Sequence, residues 1–268
     1  RAAHLPARRI EMVRRPLAAF GGVLDALEEA APEADFLYTW HDVTRGGRSF
    51  GKGFLVEKRF VADGEAPREE PEPTWRRMTA ETRGRAFPPL LNSLTAAPFN
   101  RAWGVAQRLS PARTRVGVFD FLFPVARKAL YFHLFGRRGF HEMQWIVPRD
   151  AVPSLGRDLP VLLRRRRAAV THASCKLFRG EPSLARFDGE GLCLALDFPR
   201  DAGSASLAAE LDWLGIALGV VPNVNKDSRL PAEVAEAGLS GLQELRGRLR
   251  SWDPERLYRS ELSARLGL

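Results

Sequence analysis

The chain has 268 residues, of which 45% are hydrophobic and 27% charged, a composition that excludes general disorder. Charged residues and a proline interrupt its apolar stretches, such as 119–130, so the sequence predicts no membrane-spanning helix and we expect a soluble chain. The formal charge is +9, but 36 of the 41 basic residues are arginine and both signs are spread along the chain, which argues against a nucleic-acid partner.

Cysteine usage and the first residues bear on where the protein works. The chain has two cysteines, Cys175 and Cys193, too few for a disulfide framework or for a zinc site made of thiolates. We therefore expect a reducing compartment and a cytoplasmic location. Residues 1–6 contain neither an initiator Met nor the apolar core of a secretory signal, so the sequence looks like the interior of a longer gene product.

The first third of the chain is predicted to begin with a strand at 9–14, followed by a helix that Pro16 opens. Two strands at 36–42 and 53–60 flank a turn-rich segment and are expected to pair as a hairpin. The prolines and acidic residues of 61–75 predict a long surface loop.

The remaining chain alternates between strands and helices, except that 80–113 sustains no hydrophobic period and no element is predicted there. Further strands are predicted at 116–121, 139–147, 168–178, 191–198 and 220–225. Helices are predicted at 125–135, 150–165, 204–218 and 232–250, with a short last helix from Asp253. Pro160 is expected to kink or shorten the second of these helices, and Ser204 or Ser206 to cap the third.

This order of elements predicts an α+β fold, in which helices cover one face of a mostly antiparallel sheet and a helical segment follows. No period of about 20 to 50 residues recurs, which excludes a repeat architecture. A composition shift near Gly219 predicts one internal boundary, between residues 1–218 and 219–268.

Several familiar catalytic and binding signatures are absent. The chain contains no glycine-rich phosphate loop, no nucleophile elbow and no zinc-protease motif. His133 and His141 do not have the spacing of metal ligands, so no metal site is predicted. Cys175 and His172 are three residues apart on a strand and therefore face opposite sides, which argues against a thiolate-imidazole pair.

Three strands nevertheless carry polar residues at every second position. The polar positions are Glu142 and Gln144 in the first strand, His172, Ser174 and Lys176 in the second, and Cys193, Ala195 and Asp197 on the corresponding face of the third. If these faces join, they form a polar patch on the sheet. The solvated side of an antiparallel sheet gives the same pattern and is the simpler explanation.

Lys226 is one of five lysines in a chain rich in arginine, and it lies between a predicted strand and a predicted helix. A lysine at such a position indicates a need for a compact charge or a titratable amine. A solvent-exposed lysine beside a helix cap fits the residues equally well.

The following motifs carry a resemblance to a known family: Gln144-Trp145-Ile146-Val147-Pro148, Lys176-Leu177-Phe178, Leu196-Asp197-Phe198-Pro199, Lys226-Asp227-Ser228-Arg229 and Tyr258-Arg259-Ser260-Glu261-Leu262. With Tyr38-Thr39-Trp40-His41-Asp42, they resemble the C-terminal two thirds of FAD-linked oxidases of the vanillyl-alcohol oxidase superfamily, in the right order. Within it, they are most similar to the branch of decaprenylphosphoryl-β-D-ribose oxidases.

The resemblance implies that residues 1–218 are a substrate-binding (cap) domain and that 219–268 return to an FAD-binding lobe. That lobe, which holds most of the FAD, is not in this chain, so FAD and the missing lobe are the expected cofactor and partner. The reaction implied is oxidation of a secondary alcohol of a sugar-like or polyol substrate by hydride transfer to flavin.

The resemblance also implies roles for individual residues. Lys226 is the implied catalytic residue and, with Asp227 and Arg229, contacts the cofactor. The implied substrate contacts are Trp40, Glu142, Gln144, Lys176 and Cys193.

The departures from the family pattern put the substrate in doubt. Leu122 stands where the family has Tyr, Glu142 where it has Gln, and Cys193-x-Ala195 where it has Asn-x-Cys. Another polyol, a sugar lactone or a glycolipid alcohol fits as well. The alternative function is a non-catalytic cap-like domain that binds a protein partner or an acidic surface.

Overall fold

The computed structural model describes residues 9–44, 46–61, 88–118, 121, 131–167, 169–201 and 203–268. Leu122, nearly all of the loop expected at 61–75 and the first six residues of the helix expected at 125–135 lie outside the described residues. The strands are β1 Arg9–Leu17, β2 Phe36–Asp42, β3 Lys52–Val61, β4 Arg113–Gly117, β5 Phe140–Val147, β6 His172–Phe178, β7 Gly191–Pro199 and β8 Val221–Pro222. The helices are α1 Val23–Ala30, α2 Ala96–Leu109, α3 Val152–Arg165, α4 Ser204–Leu218, α5 Ala232–Gly238, α6 Leu242–Trp252 and α7 Glu261–Leu266.

The eight strands form one sheet in the order β4-β1-β3-β2-β6-β7-β5-β8, and every neighbouring pair is antiparallel. The expected hairpin is present as β2 and β3. The two halves of the sheet meet where His41 of β2 pairs with Ala173 of β6. Next to this pair, the Thr39 hydroxyl accepts a hydrogen bond from the Cys175 amide at 3.0 Å, so a side chain extends the junction. This architecture confirms the predicted α+β class.

One face of the sheet packs against α1, α3 and α4. Because side chains alternate along a strand, this core face takes every second residue of β5, β6 and β7. Its fully buried members include Met143, Trp145, Val147, Ala173, Cys175, Leu192, Leu194, Leu196 and Phe198. Burial of this apolar surface is the main contribution to stability of the sheet and its helices.

The opposite face is partly covered as well, which the sequence did not predict. Helix α2 lies over Trp40, and a Cβ added at Gly104 would be 3.7 Å from its indole ring. Asn100 of the same helix donates a hydrogen bond to the Val170 carbonyl at 3.0 Å. Since Trp40 follows the alternation opposite to His41, α2 packs on the side away from α1, α3 and α4.

Pro16 does not open a helix and Pro160 does not shorten one, while the kink expected at Pro160 stays a prediction. Pro16 stays in β1, opposite Phe54 of β3, and the first α-helix begins at Val23. Helix α3 passes through Pro160 and ends at Arg165. The lost backbone hydrogen bond is offset by burial of the leucines on either side of this proline.

Helix caps and breaks also differ from the prediction. Neither Ser204 nor Ser206 caps α4 through its side chain; the carboxylate of Asp201 accepts from the Gly203 and Ser204 amides at 3.0 and 3.1 Å. The helix predicted at 232–250 is divided into α5 and α6. Gly241, before α6, lies so close to the Leu184 backbone that an added Cβ would be 2.3 Å from its Cα, and this approach fixes the break. The last helix begins at Glu261 instead of Asp253 and has a capping box.

The C-terminal residues have their own small core. Its buried members are Val224, Leu230, Val234, Ala235, Leu239, Leu242 and Leu266, all after Gly219. The same segment supplies β8, which pairs with β5, so it is joined to the sheet. The division into 1–218 and 219–268 stays a prediction. No helix in the described ranges is long and apolar enough to cross a membrane.

Candidate functional site

The register of β5, β7 and β6 brings the predicted polar positions together. Glu142, Asp197 and His172 are directly opposite one another across the three strands. The next row is Gln144, Ala195 and Ser174, and the third is Ile146, Cys193 and Lys176. Directly opposite residues share a face, so these faces join. We call the set Glu142, Gln144, Ser174, Lys176, Cys193, Ala195 and Asp197 the polar patch.

The polar patch is not simply a solvated surface. Gln144, Ser174, Ala195 and Asp197 are each 6 to 8% exposed, whereas the Lys176 side chain is exposed. Asp197 is a carboxylate in this sheltered position, and buried carboxylates are rare unless they have partners. The patch therefore has a sheltered centre and a charged rim.

Lys226 reaches this patch from the turn after β8. Its ammonium nitrogen lies 3.1 Å from the Glu142 carboxylate, and its side chain is half exposed. The turn is held by the Asn223 carbonyl, which accepts from the Lys226 amide at 3.1 Å. The amine is therefore at the edge of the polar patch, beside Glu142.

Asp227 and Arg229, in contrast, do not lie on the patch. Arg229 forms a two-point ion pair with Asp212 of α4, at 2.7 and 3.0 Å, and a further ion pair with Asp227 at 3.0 Å. The Nη2 that contacts Asp212 and Asp227 is also 3.7 Å from the Met143 sulfur, which belongs to the core face. Burial raises the pKa of Asp227, and the nearby Arg229 opposes this effect. These residues anchor the Lys226 turn to α4, and their contact with a cofactor stays a prediction.

The amide of Gln144 is held in one orientation by a residue that the sequence did not single out. Asn223 donates from its side chain to Gln144 Oε1 at 2.5 Å and from its backbone to the Gln144 carbonyl at 2.9 Å. The Asn225 amide in turn donates to Asn223 Oδ1 at 3.1 Å. With Oε1 occupied, Gln144 Nε2 has no acceptor among the described residues and is available to a ligand. The sequence feature that could have pointed to Asn223 is its position directly after a short strand.

Asp197 is the sheltered carboxylate of the patch. Its Oδ2 accepts a hydrogen bond from the Tyr131 hydroxyl at 3.0 Å, and that hydroxyl is also 3.1 Å from Thr171 Oγ1. Burial raises the pKa of Asp197 to about 7, with the negative charge of Glu142 adding to this effect and the Tyr131 hydrogen bond opposing it. Asp197 therefore changes charge near neutral pH. The sequence placed it on the polar face without giving it a role.

Cys193 and Trp40 are more enclosed than their implied substrate contacts suggest. Burial raises the pKa of the Cys193 thiol to about 12, so it is protonated at neutral pH. Trp40 lies on the same face of the sheet but is 8% exposed, under α2 and against Phe54. Their contact with a substrate stays a prediction.

The remaining predicted residues agree with the geometry. Cys175 is on the core face and His172 on the opposite face, as the strand alternation indicated. No group of three or more His, Cys, Asp or Glu side chains suited to a metal ion occurs within the described part of the chain.

Comparison with known proteins gives an informative similarity. No protein-family model matches the chain. It is 26% identical over 180 residues to the decaprenylphosphoryl-β-D-ribose oxidase of Mycolicibacterium smegmatis. The match covers 67% of this chain and 39% of that protein, so the chain spans about two fifths of its relative. The chain is a distant relative of an oxidase. This supports the resemblance to FAD-linked oxidases at the level of the superfamily.

Proposed function

We propose that this chain is the substrate-domain portion of an FAD-dependent oxidoreductase that oxidises a secondary alcohol of a sugar-like or polyol substrate. The observation that carries the proposal is the placement of the Lys226 amine, 3.1 Å from Glu142, at the edge of a sheltered polar patch. The distant similarity to an oxidase supports the same class of reaction.

The donors of the patch fit a flavin. A flavin presents carbonyl and ring-nitrogen acceptors along one edge and gains negative charge on reduction. Lys226, Lys176 and Gln144 Nε2 offer two cations and one uncommitted amide donor on the same side of the sheet. Such groups stabilise developing negative charge when they are fixed before the reaction.

Each residue then has a defined task. Bound FAD supplies a two-electron acceptor for the hydrogen on the alcohol carbon. Lys226 would supply positive charge to the flavin, and its turn is fixed by the ion pair of Arg229 with Asp212. Gln144 donates from Nε2 to the substrate or the cofactor edge because Asn223 fixes the opposite end of its amide. The proposed contacts with the substrate come from Lys176, Glu142, Cys193 and Trp40.

The test uses the gene product that carries this chain together with its flavin-binding lobe. We expect the visible absorbance of an oxidised flavin and its anaerobic bleaching by a sugar or polyol alcohol. Lys226→Met should slow bleaching by about 10²-fold, the loss typical of one fixed electrostatic contact. Lys52→Met is the matched control, because Lys52 lies on β3, three strands from β7.

Two results would contradict the proposal. A colourless protein that binds no FAD favours the alternative of a cap-like domain that binds a partner. Equal bleaching rates for the Lys226 and Lys52 variants would remove Lys226 from the chemistry.

A further inference from the structure

Oxidation of an alcohol by hydride transfer also releases the hydroxyl proton, and the tasks above leave that proton without an acceptor. The polar patch holds a row of ionisable groups at the right place. Lys226 is ion-paired with Glu142, Glu142 is directly opposite Asp197, and Asp197 is directly opposite His172. Opposite side chains in an antiparallel pair have Cβ atoms about 5 Å apart, so the members of this row interact.

Asp197 has one occupied oxygen and one open oxygen. Tyr131 donates to Oδ2 at 3.0 Å, whereas no described residue donates to Oδ1. The hydrogen bond and the surrounding strands fix the carboxylate, and the open oxygen keeps its lone pairs available to a ligand. Beside it on β7, two positions away on the same face, Ala195 presents only a methyl group opposite Gln144.

A second feature of the same face is suited to a bound hydroxyl. Gln144 is 8% exposed, and its Nε2 has no acceptor among the described residues. Since no described residue accepts from this donor, it can donate to a bound hydroxyl. Gln144 is opposite Ala195, two positions from Asp197, so one bound hydroxyl can accept from Gln144 and donate to Asp197.

We infer that Asp197 is the residue that accepts the proton of the substrate hydroxyl, and that Glu142 tunes it for this task. The inference rests on the proposed function. The substrate O–H bond breaks, its proton bonds to Asp197 Oδ1, and its electron pair becomes the second bond of the new carbonyl. The hydrogen on the alcohol carbon leaves with its electron pair to the flavin, so the alcohol loses two electrons and two hydrogens.

The other members of the row are less suited to accept this proton. Glu142 already forms an ion pair with Lys226. Lys226 cannot accept the proton either, because its ammonium group has no lone pair. Burial raises the pKa of Tyr131, so its phenol remains a neutral donor to Asp197. His172 has contacts of its own, among them an edge-on contact with the Tyr131 ring. A base is most effective when its pKa is near the working pH, and the pKa of Asp197 is about 7.

The first experiment needs neither flavin nor substrate. Carboxyl carbons of the 268-residue chain are titrated by NMR, and Asp197→Asn identifies the signal of Asp197. The groups that face it are Glu142 from β5, His172 from β6, Tyr131 and Lys226. We expect a midpoint near 7, moved about one pH unit toward acid by Glu142→Gln and toward alkali by Lys226→Met. A wild-type midpoint near 4, or one that Glu142→Gln does not move, overturns the inference.

The second experiment measures anaerobic flavin bleaching by the alcohol across pH 5 to 9 in the flavin-loaded protein. The wild-type rate should rise through pH 7, and Asp197→Asn should be about 10² to 10⁴-fold slower, without that rise. Glu142→Gln should move the rise toward acid in parallel with the NMR midpoint. Asp158→Asn, an exposed carboxylate on α3, is the control and should match wild type.

The outcomes separate the two claims. If wild type bleaches normally and Asp197→Asn does too, the proton acceptor is wrong while the proposed function stands. If no alcohol bleaches a flavin in the wild-type protein, the proposed function fails and the catalytic role of Asp197 fails with it, whatever the NMR midpoint.

Discussion

Replacing Asp197 with Asn should change stability in a strongly pH-dependent way. Asn keeps the shape of the side chain and can still accept from Tyr131, but it cannot ionise. In the folded chain the pKa of Asp197 is raised from 3.8 to about 7, so between these values the folded state binds more of a proton than the unfolded state. Unfolding free energy therefore falls as pH rises through this window.

The size of the effect follows from the difference of about three pKa units, at about 1.4 kcal/mol each. Asp197→Asn should thus gain up to about 4 kcal/mol over wild type at pH 8 and close to none at pH 4. The NH2 group of Asn replaces one oxygen of Asp197, and burying it without an acceptor lowers the stability of the variant by the same amount at every pH.

Wild type alone would not reveal this contribution. Burial lowers the pKa of His41 to about 4, so the folded state binds less of a proton there than the unfolded state below pH 6.5. That contribution to stability is lost as pH falls from 6.5 toward 4, which is opposite in sign to the contribution of Asp197. Over pH 4 to 6.5 the two effects offset each other in wild type, and the difference between variant and wild type isolates Asp197.

The measurement is urea unfolding, followed by tryptophan fluorescence at pH 4.5, 6, 7 and 8 and constant ionic strength. Asp158→Asn serves as control because its carboxylate is exposed, and it should show no pH-dependent difference. A difference between Asp197→Asn and wild type that is equal at all four pH values would refute the reasoning.

Three further variants or reagents test other parts of the site. Arg229→Leu should destabilise by about 3 to 5 kcal/mol in urea unfolding because it leaves Asp212 buried without its cation, and adding Asp212→Leu should recover part of the loss. Asn223→Ala should raise the substrate KM about tenfold with less effect on kcat, because Gln144 loses the contact that orients its amide; equal loss in both would argue against a positioning role. Iodoacetamide should modify Cys193 in the native chain far more slowly than in urea, since the thiol is buried and its pKa is about 12; equal rates would contradict its burial.

The strands that frame the site were predictable because a period of two is set by local geometry. Given the strands at 139–147, 168–178 and 191–198, the sequence alone divided their residues into two faces. It could not decide whether those faces join, since register depends on pairing between distant segments. The observed pairing of Glu142 with Asp197 and of Asp197 with His172 supplies that information.

Features that depend on tertiary contacts were missed. Helix α2 was missed because two of its contacts with the rest of the fold use a polar and a small residue, Asn100 and Gly104. The clamp of Asn223 on Gln144 joins residues 79 positions apart. Neither contact can be read from neighbouring residues in the sequence. The cap of α4 could have been, because Asp201 lies just before the helix, but the sequence analysis assigned it to Ser204 or Ser206.

The departures from the family pattern now have a spatial meaning. Glu142, Ala195 and Cys193 occupy three adjacent rows of the polar patch. Glu142 is opposite Asp197, Ala195 is opposite Gln144 and Ser174, and Cys193 is opposite Lys176. Gln144 and Lys226 match the pattern; Gln144 lies in the middle row opposite Ala195, and Lys226 is at the edge beside Glu142. The departures that the structure describes therefore lie on the floor of the patch, while Lys226 keeps a cation at its edge. Glu142 also places a second carboxylate beside Asp197, where a neutral glutamine would leave its pKa lower. Because Glu and Gln have nearly the same size, this substitution acts through charge, on the group to which we assign the substrate proton.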